Sequence, residues 1–289
     1  MPRERTAGPP GQRRGRFSAD RYALLGLLVV NPLVDPSQRP VIAHRGASAQ
    51  APENTMPAFE QAADLAADAL ELDVHLSADG VPVVIHDPTL DRTTDRRGPV
   101  AACTLAELRE ADAGATFSPD GGGSFPWRGR EVRIPTLIEV LERLPELPLL
   151  IELKSAAVQH AVRRLLKQQD AAARCLVASA DHAAVAVFRE PPFLACASRR
   201  DIVRLLLRAH LAVPTGPIRY RGLSVPDRHR GFPVPTTRFI AAARRLGLPV
   251  HVWTVNDPVV AQALWRRGAA GIVTNDPAKL RQVRDASWR

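Results

Sequence analysis

Lysine is nearly absent from this chain of 289 residues. Lys154, Lys167 and Lys279 are the three lysines among 39 lysine and arginine residues, so 36 basic side chains are arginines. The net charge of +9 favours acidic partners such as phosphates, anionic lipid surfaces or nucleic acid. Because the arginines are spread along the whole chain, most of this charge is expected on solvated helix faces. Charge alone therefore identifies no partner.

Cysteine is equally scarce, and no apolar run is long enough for a membrane span. Cys103, Cys175 and Cys196 are odd in number, and no two of them have the spacing of a metal or redox motif. This argues against a disulfide scaffold and favours a cytoplasmic location. The apolar run YALLGLLVV at 22–30 is far too short to cross a bilayer as a helix.

Residues 1–38 are predicted to precede the folded domain. The first 21 residues carry six arginines against two acidic residues and contain Gly-Pro-Pro-Gly, which is typical of a disordered tail. The apolar run that follows is expected to form a short helix packed on the fold. A degenerate export signal is the alternative, although NPLVDPSQRP contains no small-residue cleavage site. The basic segment could also make weak contact with an anionic membrane surface.

From residue 39 to 289, nine short aliphatic runs alternate with helical patterns rich in Ala, Leu and Arg. Such alternation predicts a parallel sheet covered by helices, and the length suits one TIM-like (β/α)8 barrel. The segment SADGVP between two of the runs is too short for a helix, so we expect an irregular, helix-free link or hairpin between the second and third strands. The Gly-rich stretch near 113–131 is predicted to be a small loop insertion that could act as a lid.

Polar residues follow the predicted strands at their carboxyl ends, where barrels of this kind carry their chemistry. Buried polar groups are costly unless they hold a ligand or each other. The strand ends read His44-Arg45-Gly46, Glu71 with Asp73, His86-Asp87, Glu152 with Lys154, Ser179, and Trp253 with Asn256.

Three carboxylates among these residues suggest a cation site. Glu71 and Asp73 are two residues apart on a strand, so both side chains point the same way. Together with Glu152 they would form an all-oxygen site that suits Mg²⁺ or Ca²⁺. The alternative is an outward-facing acidic pair bound to arginine.

The histidines and basic residues at the strand ends suggest acid–base chemistry on an anion. His44 and His86 could serve as proton acceptor and donor, or each could have a structural, hydrogen-bonded role. Arg45 and Lys154 could bind a phosphate, although Lys154 could simply form a salt bridge to Glu152. Two further histidines on strands, His75 and His251, are left unassigned.

Six segments in their order and spacing resemble the glycerophosphodiester phosphodiesterase family. They are IAHRGASAQAPENTMPAF, ALELDVHLSADGVPVVIHDPTLDRTTD, RIPTLIEVL, LLIELK, VHVWTVND and GIVTNDP. The resemblance extends from about Pro40 to near Leu280 and is strongest over 42–95. Departures from the family pattern are few, and His75 occupies a position where glutamine is common.

The resemblance implies a TIM-like barrel that hydrolyses glycerol phosphodiesters to glycerol 3-phosphate and an alcohol with a divalent cation. The implied site comprises an acid/base pair, His44 and His86; cation ligands Glu71, Asp73 and Glu152; phosphate contacts Arg45 and Lys154; an active-site loop with Glu53 and Asn54; and an aromatic residue beside the substrate, Trp253.

Two alternatives differ in substrate or in class. The first is a lysophospholipase D- or phospholipase C-like enzyme that acts on lipid. The second is a non-enzymatic nucleic-acid binder, but the basic stretches lack interleaved aromatic residues and the polar strand ends would remain unexplained. We therefore expect a small-molecule phosphodiester as partner and no nucleic acid, while the oligomeric state is left open.

Overall fold

The structure is a computed structural model that describes residues 31–211, 213–214 and 216–288. The predicted tail and helix within 1–30 lie outside the described residues. The compact unit that holds the barrel begins at Asn31. Residues 31–38, assigned to the tail from sequence, include turns and the fully buried Leu33. The barrel domain therefore starts at Asn31 rather than at residue 39.

Eight parallel strands and three antiparallel ones make up the described sheets. In chain order the strands are β1 Val41–His44, β2 Ala69–Leu76, β3 Pro82–Val84, β4 Leu149–Leu153, β5 Cys175–Ala178, β6 Leu194–Ala195, β7 Leu223–Pro226, β8 Arg228–His229, β9 Phe232–Pro233, β10 Val250–Trp253 and β11 Ile272–Thr274. The parallel strands follow the order β6-β5-β4-β2-β1-β11-β10-β7. A parallel bridge between Cys196 and Gly222 joins the two ends of this order. The predicted TIM-like barrel is confirmed.

The run in excess of the eight that a barrel needs is the third along the chain, which forms the short strand β3 outside the parallel set. It pairs antiparallel with the end of β2, with Val74 opposite Val84. A turn over 78–80 joins the two strands, and Gly80 has the positive φ of +80° that favours glycine. The insertion that follows is longer than the predicted 113–131. It contains a small apolar core of its own that includes Leu90 and Leu108.

Most of the described helices begin after a residue whose side chain caps them. The described α-helices are α1 Met56–Asp64, α2 Leu105–Arg109, α3 Leu137–Arg143, α4 Gln159–Gln168, α5 His182–Ala186, α6 Arg199–Leu211, α7 Thr237–Arg245, α8 Pro258–Arg266 and α9 Pro277–Ser287. Thr104 and Thr136 form capping boxes with the glutamates three residues on. None of the described helices is long and apolar enough to cross a membrane.

The amino end of the barrel is filled by apolar side chains. Leu33 belongs to a buried cluster with residues from the first half of several strands, among them Ile42 and Leu150. Its carbonyl oxygen lies 2.8 Å from Nε2 of His251, which is fully buried on β10. A Cβ on Gly271 would lie 2.3 Å from Nδ1 of this imidazole, so glycine leaves the space that the ring occupies. His251, unassigned from sequence, is therefore structural.

Candidate active site

The loop after β1 directs Arg45 back toward the carboxyl end of the neighbouring strand. Arg45 and Gly46 both have positive φ, of 54° and 85°. A Cβ on Gly46 would lie 2.6 Å from the backbone carbon of Ala58, so only glycine fits there. The Arg45 amide donates to the Glu71 carbonyl at 2.9 Å and lies 3.1 Å from Glu71 Oε2. The sequence His-Arg-Gly thus forms a tight turn that is hydrogen-bonded to β2.

Three carboxylates meet at the carboxyl ends of β2 and β4. Glu71 and Asp73 lie two residues apart on β2, and Glu152 on β4 is paired in register with Asp73. One oxygen from each carboxylate lies within 4.8 Å of the others. Glu71 and Asp73 are buried, and Glu152 is partly exposed. The structure therefore brings together the three residues that the sequence suggested as cation ligands.

Two basic side chains contact this carboxylate cluster. Lys154 Nζ lies 2.7 Å from Asp73 Oδ1 and 3.1 Å from Glu152 Oε2. Arg45 Nε lies 3.0 Å from Asp73 Oδ2. Although burial opposes ionisation, Lys154 and Arg45 hold the pKa of Asp73 below its usual value. The predicted salt bridge of Lys154 with Glu152 exists, and it lies inside the site.

The donor chemistry of the cluster fits a hard divalent cation. Burial, together with repulsion from Asp73 and Glu152, raises the pKa of Glu71 well above its usual value. Negative charge at this carboxyl is therefore not fully compensated by Arg45 and Lys154. All three groups are carboxylates, the ligands that Mg²⁺ and Ca²⁺ prefer, and Glu71, Asp73 and Glu152 are the residues that would hold such an ion.

His44 has one ring nitrogen bonded and the other turned toward the carboxylates. Nδ1 lies 2.7 Å from Oδ1 of Asn275, which fixes the proton on Nδ1. Nε2 lies 3.9 Å from Glu71 Oε2. Burial and the nearby Arg45 lower the pKa of His44 to about 4. Near pH 7 the imidazole is neutral, and Nε2 is free to accept a proton.

Asn275 is a site residue that sequence reasoning missed. It follows β11 directly, and its backbone N–H donates to Oδ1 of Asn256 at 2.9 Å. The Thr274 hydroxyl donates to the same oxygen at 3.0 Å. A polar residue just past the last apolar strand was the available signal, but nothing in the sequence indicated that it would contact His44.

His86 lies on the loop after β3 and is held by two groups. The Ile85 amide donates to the Asp73 carbonyl at 3.0 Å, which places the next residue at the same edge of the barrel. His86 Nδ1 lies 2.6 Å from Asp87 Oδ1. The His86 carbonyl lies 3.0 Å from Nε2 of His75, a second residue left unassigned from sequence. His75 therefore supports the loop that carries His86.

Glu53 and Asn54, predicted on an active-site loop, each contact a charged residue of the site. Asn54 Nδ2 donates to Asp73 Oδ2 at 2.9 Å. Glu53 Oε1 accepts from Arg45 Nη1 at 2.8 Å and from Arg92 Nη2 at 2.8 Å. Arg92 was missed from sequence, although it belongs to the segment HDPTLDRTTD that carries the resemblance.

Trp253 and Ser179 occupy strand ends farther around the same edge. Trp253 ends β10, and its side chain is 42% exposed, so its ring is accessible at the rim. The Ser179 hydroxyl donates to the Leu153 carbonyl at 2.8 Å, which gives it a structural role between β5 and β4.

Fold and site together define an α/β-barrel enzyme with its polar residues at the carboxyl ends of the strands. The family model of the glycerophosphoryl diester phosphodiesterase family matches residues 44–279. A glycerophosphodiester phosphodiesterase from Caldanaerobacter subterraneus subsp. tengcongensis is 33% identical over 249 residues, covering 83% of this chain and 95% of that protein. The chain therefore belongs to the glycerophosphoryl diester phosphodiesterase family, and it is a phosphoric diester hydrolase.

Solved structures share the architecture. The glycerophosphoryl diester phosphodiesterase domain of an uncharacterised Mycobacterium tuberculosis protein has a TM-score of 0.75 at 24% identity, covering 86% of this chain and 99% of that one. A phosphodiesterase from Oleispira antarctica, solved in complex with its product sn-glycerol-3-phosphate, has a TM-score of 0.67 at 28% identity, covering 86% and 97%. Both similarities support the barrel fold.

Proposed function

We propose that this protein hydrolyses glycerophosphodiesters to glycerol 3-phosphate and an alcohol with the help of a divalent cation. The observation that carries the proposal is the carboxylate cluster, whose oxygens lie within 4.8 Å of one another beside Arg45, Lys154 and His44. The product bound in the Oleispira antarctica relative supports the same product here.

The basic residues account for recognition of the phosphate. Arg45 offers a planar fork of donors and Lys154 a compact ammonium, and both suit phosphoryl oxygens. A cation held by Glu71, Asp73 and Glu152 would supply further positive charge against the charge that develops on the phosphate. Arg45 and Lys154 lie close enough to this cluster to contact the same anion.

The two histidines account for proton transfer. Neutral His44 accepts the proton of the attacking oxygen at Nε2, because Nδ1 is committed to Asn275. As the bond from phosphorus to the alcohol oxygen breaks, His86 donates a proton to the departing alkoxide. The carboxylate of Asp87, 2.6 Å from His86 Nδ1, orients this imidazole.

The test measures glycerol 3-phosphate released from glycerophosphocholine and glycerophosphoethanolamine, and lysophosphatidic acid or phosphocholine released from lysophosphatidylcholine, with chelator and then with Mg²⁺ or Ca²⁺ added back. We expect turnover of the first two substrates, loss with chelator and recovery with a cation. Preferential turnover of lysophosphatidylcholine would instead support the lipid-active alternative. No release from any diester, or release that chelator leaves unchanged, would contradict the proposal.

Cation binding can be measured without turnover. A ligand that binds only the folded state at 100 times its Kd stabilises that state by about 2.7 kcal/mol. We therefore expect Mg²⁺ or Ca²⁺ to raise the melting temperature of the natural protein but not of Asp73→Asn. An equal rise in both proteins would mean that the cation binds somewhere other than the carboxylate cluster.

A further inference from the structure

Arg92 connects the two loops that carry His86 and Arg45. Its Nε lies 2.7 Å from Asp87 Oδ2, and its Nη2 lies 3.1 Å from Asp87 Oδ1. On the other side, Nη1 lies 2.8 Å from Glu53 Oε2 and Nη2 lies 2.8 Å from Glu53 Oε1. One guanidinium therefore binds two carboxylates in bidentate fashion, and these carboxylates come from different loops.

Each carboxylate in turn holds a residue of the proposed mechanism. Asp87 contacts Nδ1 of His86 at 2.6 Å, and Glu53 contacts Nη1 of Arg45 at 2.8 Å. The five side chains form a continuous chain of hydrogen bonds from the imidazole of His86 to the guanidinium of Arg45. The backbone at Arg92 is fixed as well, because its carbonyl accepts from the Thr116 hydroxyl at 2.9 Å.

Arg96 provides a useful contrast on the same insertion. Its Nη2 lies 3.1 Å from Glu110 Oε2, and both side chains are about half exposed or more, at 49% and 63%. An exposed pair of this kind contributes little to stability, and it holds no site residue. Arg92 is similarly exposed, at 46%, but its partners Glu53 and Asp87 are only 22% and 25% exposed. Hydrogen bonding by Arg92 is also the main cause that lowers the pKa of Asp87.

We propose that Arg92 is a positioning residue that orients His86 through Asp87 and Arg45 through Glu53, so that the acid and the phosphate-binding fork are held in one geometry. The kinetic consequences rest on the proposed function. Arginine suits this role because it offers five donors in a fixed fork, whereas lysine offers a point charge that cannot satisfy two carboxylates in bidentate fashion.

The first test compares Arg92→Met and Arg92→Lys with Arg96→Met as the matched control. Removing an outer partner that orients a metal-ligating side chain typically costs about 10–100-fold in activity, and we take the same range for a residue that orients His86 and Arg45. We expect a loss of that size in kcat/KM for Arg92→Met, a smaller loss for Arg92→Lys, and no change for Arg96→Met. Arg92→Met and Arg96→Met variants with equal kinetics and equal unfolding midpoints would overturn the proposal.

Adding Arg92→Met to a variant that already carries Asp87→Asn and Glu53→Gln tests the route of the effect. Asp87→Asn should lower mainly kcat, because it loosens the proton donor, and Glu53→Gln should raise mainly KM, because it loosens Arg45. When both are present, adding Arg92→Met should change little further. A full additional loss of 10–100-fold in that background would show that Arg92 acts by another route.

A readout without turnover separates this inference from the proposed function. Ring ¹⁵N chemical shifts of His86, assigned with His86→Gln and recorded at a pH high enough for the neutral ring, report which nitrogen keeps its proton once the proton that His86 donates has left. We expect the proton on Nδ1 in the natural protein and in Arg96→Met, and a mixture of tautomers in Arg92→Met. That result would support the inference even if no diester were hydrolysed. Identical His86 signals in all three proteins would overturn it even if hydrolysis were confirmed.

Discussion

The amino and carboxyl ends of the same eight strands hold different kinds of buried group. At the amino end, Leu33 completes an apolar cluster and His251 bonds to a backbone carbonyl. At the carboxyl end, buried Glu71 and Asp73 lie side by side on β2 near Arg45. Buried charge is costly unless it is compensated. The charged end is therefore where we propose that the ligand binds, and the apolar end contributes to stability.

Two histidines, one at each end of the barrel, illustrate this difference. Burial lowers the pKa of both His44 and His251 to about 4. The partner of His251 is the Leu33 carbonyl, whereas His44 bonds Asn275 through Nδ1 and directs Nε2 toward Glu71. A lowered pKa therefore does not identify a catalytic histidine. The neighbouring groups distinguish His44, the proposed proton acceptor, from the structural His251.

The largest expected effect is a loss of activity on substitution of a histidine at the carboxyl end of the barrel. His44→Ala or His86→Ala should reduce glycerol 3-phosphate release by about 10²–10⁴-fold, because each removes one of the two proposed proton-transfer groups. Circular dichroism and the urea midpoint should show that both variants remain folded. His160→Ala, on the exposed surface of α4, is the control that should retain full activity. Near-normal turnover in either site variant would refute its role.

A substitution at the amino end of the barrel should instead lower stability and leave activity unchanged. Leu33→Ala removes a fully buried side chain and should lower the free energy of unfolding by about 2–5 kcal/mol, with kcat unchanged below the unfolding transition. Urea unfolding and initial rates measure the two effects. Leu207→Ala, at a position that is 58% exposed, should change stability by far less. A loss of activity in Leu33→Ala without a loss of stability would contradict the assignment of roles to the two ends.

A smaller effect should appear in the pH dependence of stability. The pKa of His251 is lowered to about 4 in the folded protein, against about 6.5 when unfolded. The unfolded chain therefore binds the proton first, so stability is full above pH 6.5 and falls as the pH drops toward 4. Between pH 7 and pH 5 this amounts to about 2 kcal/mol.

His251→Gln tests this contribution, because an amide has no such protonation and can still donate to the Leu33 carbonyl. We expect the loss of unfolding free energy between pH 7 and pH 5 to be smaller in the variant by about 2 kcal/mol. The contribution of His44 is present in both proteins and cancels. Equal pH dependence in the two proteins would mean that His251 is not buried as a neutral group.

Much of the architecture and many of the site residues could be predicted from the sequence, because short local patterns of residues indicate both. The alternation of apolar runs and helical stretches predicted the barrel, and the pair Glu71 and Asp73 predicted two carboxylates on one face of a strand. The boundary of the domain was placed too late. Leu33 stands in a segment without strand or helix periodicity, and only its packing among strand residues shows that it belongs to the barrel.

What the sequence by itself determined is the class of fold and the set of polar residues at the strand ends, since periodicity and residue type act over short stretches of chain. Only the tertiary structure decided which of those residues meet. Asn275 reaches His44 across 231 positions of sequence, and Arg92 reaches Glu53 across 39. Closure of the barrel brings such distant segments to one edge. A contact between side chains that depends on this closure cannot be predicted from a local sequence pattern.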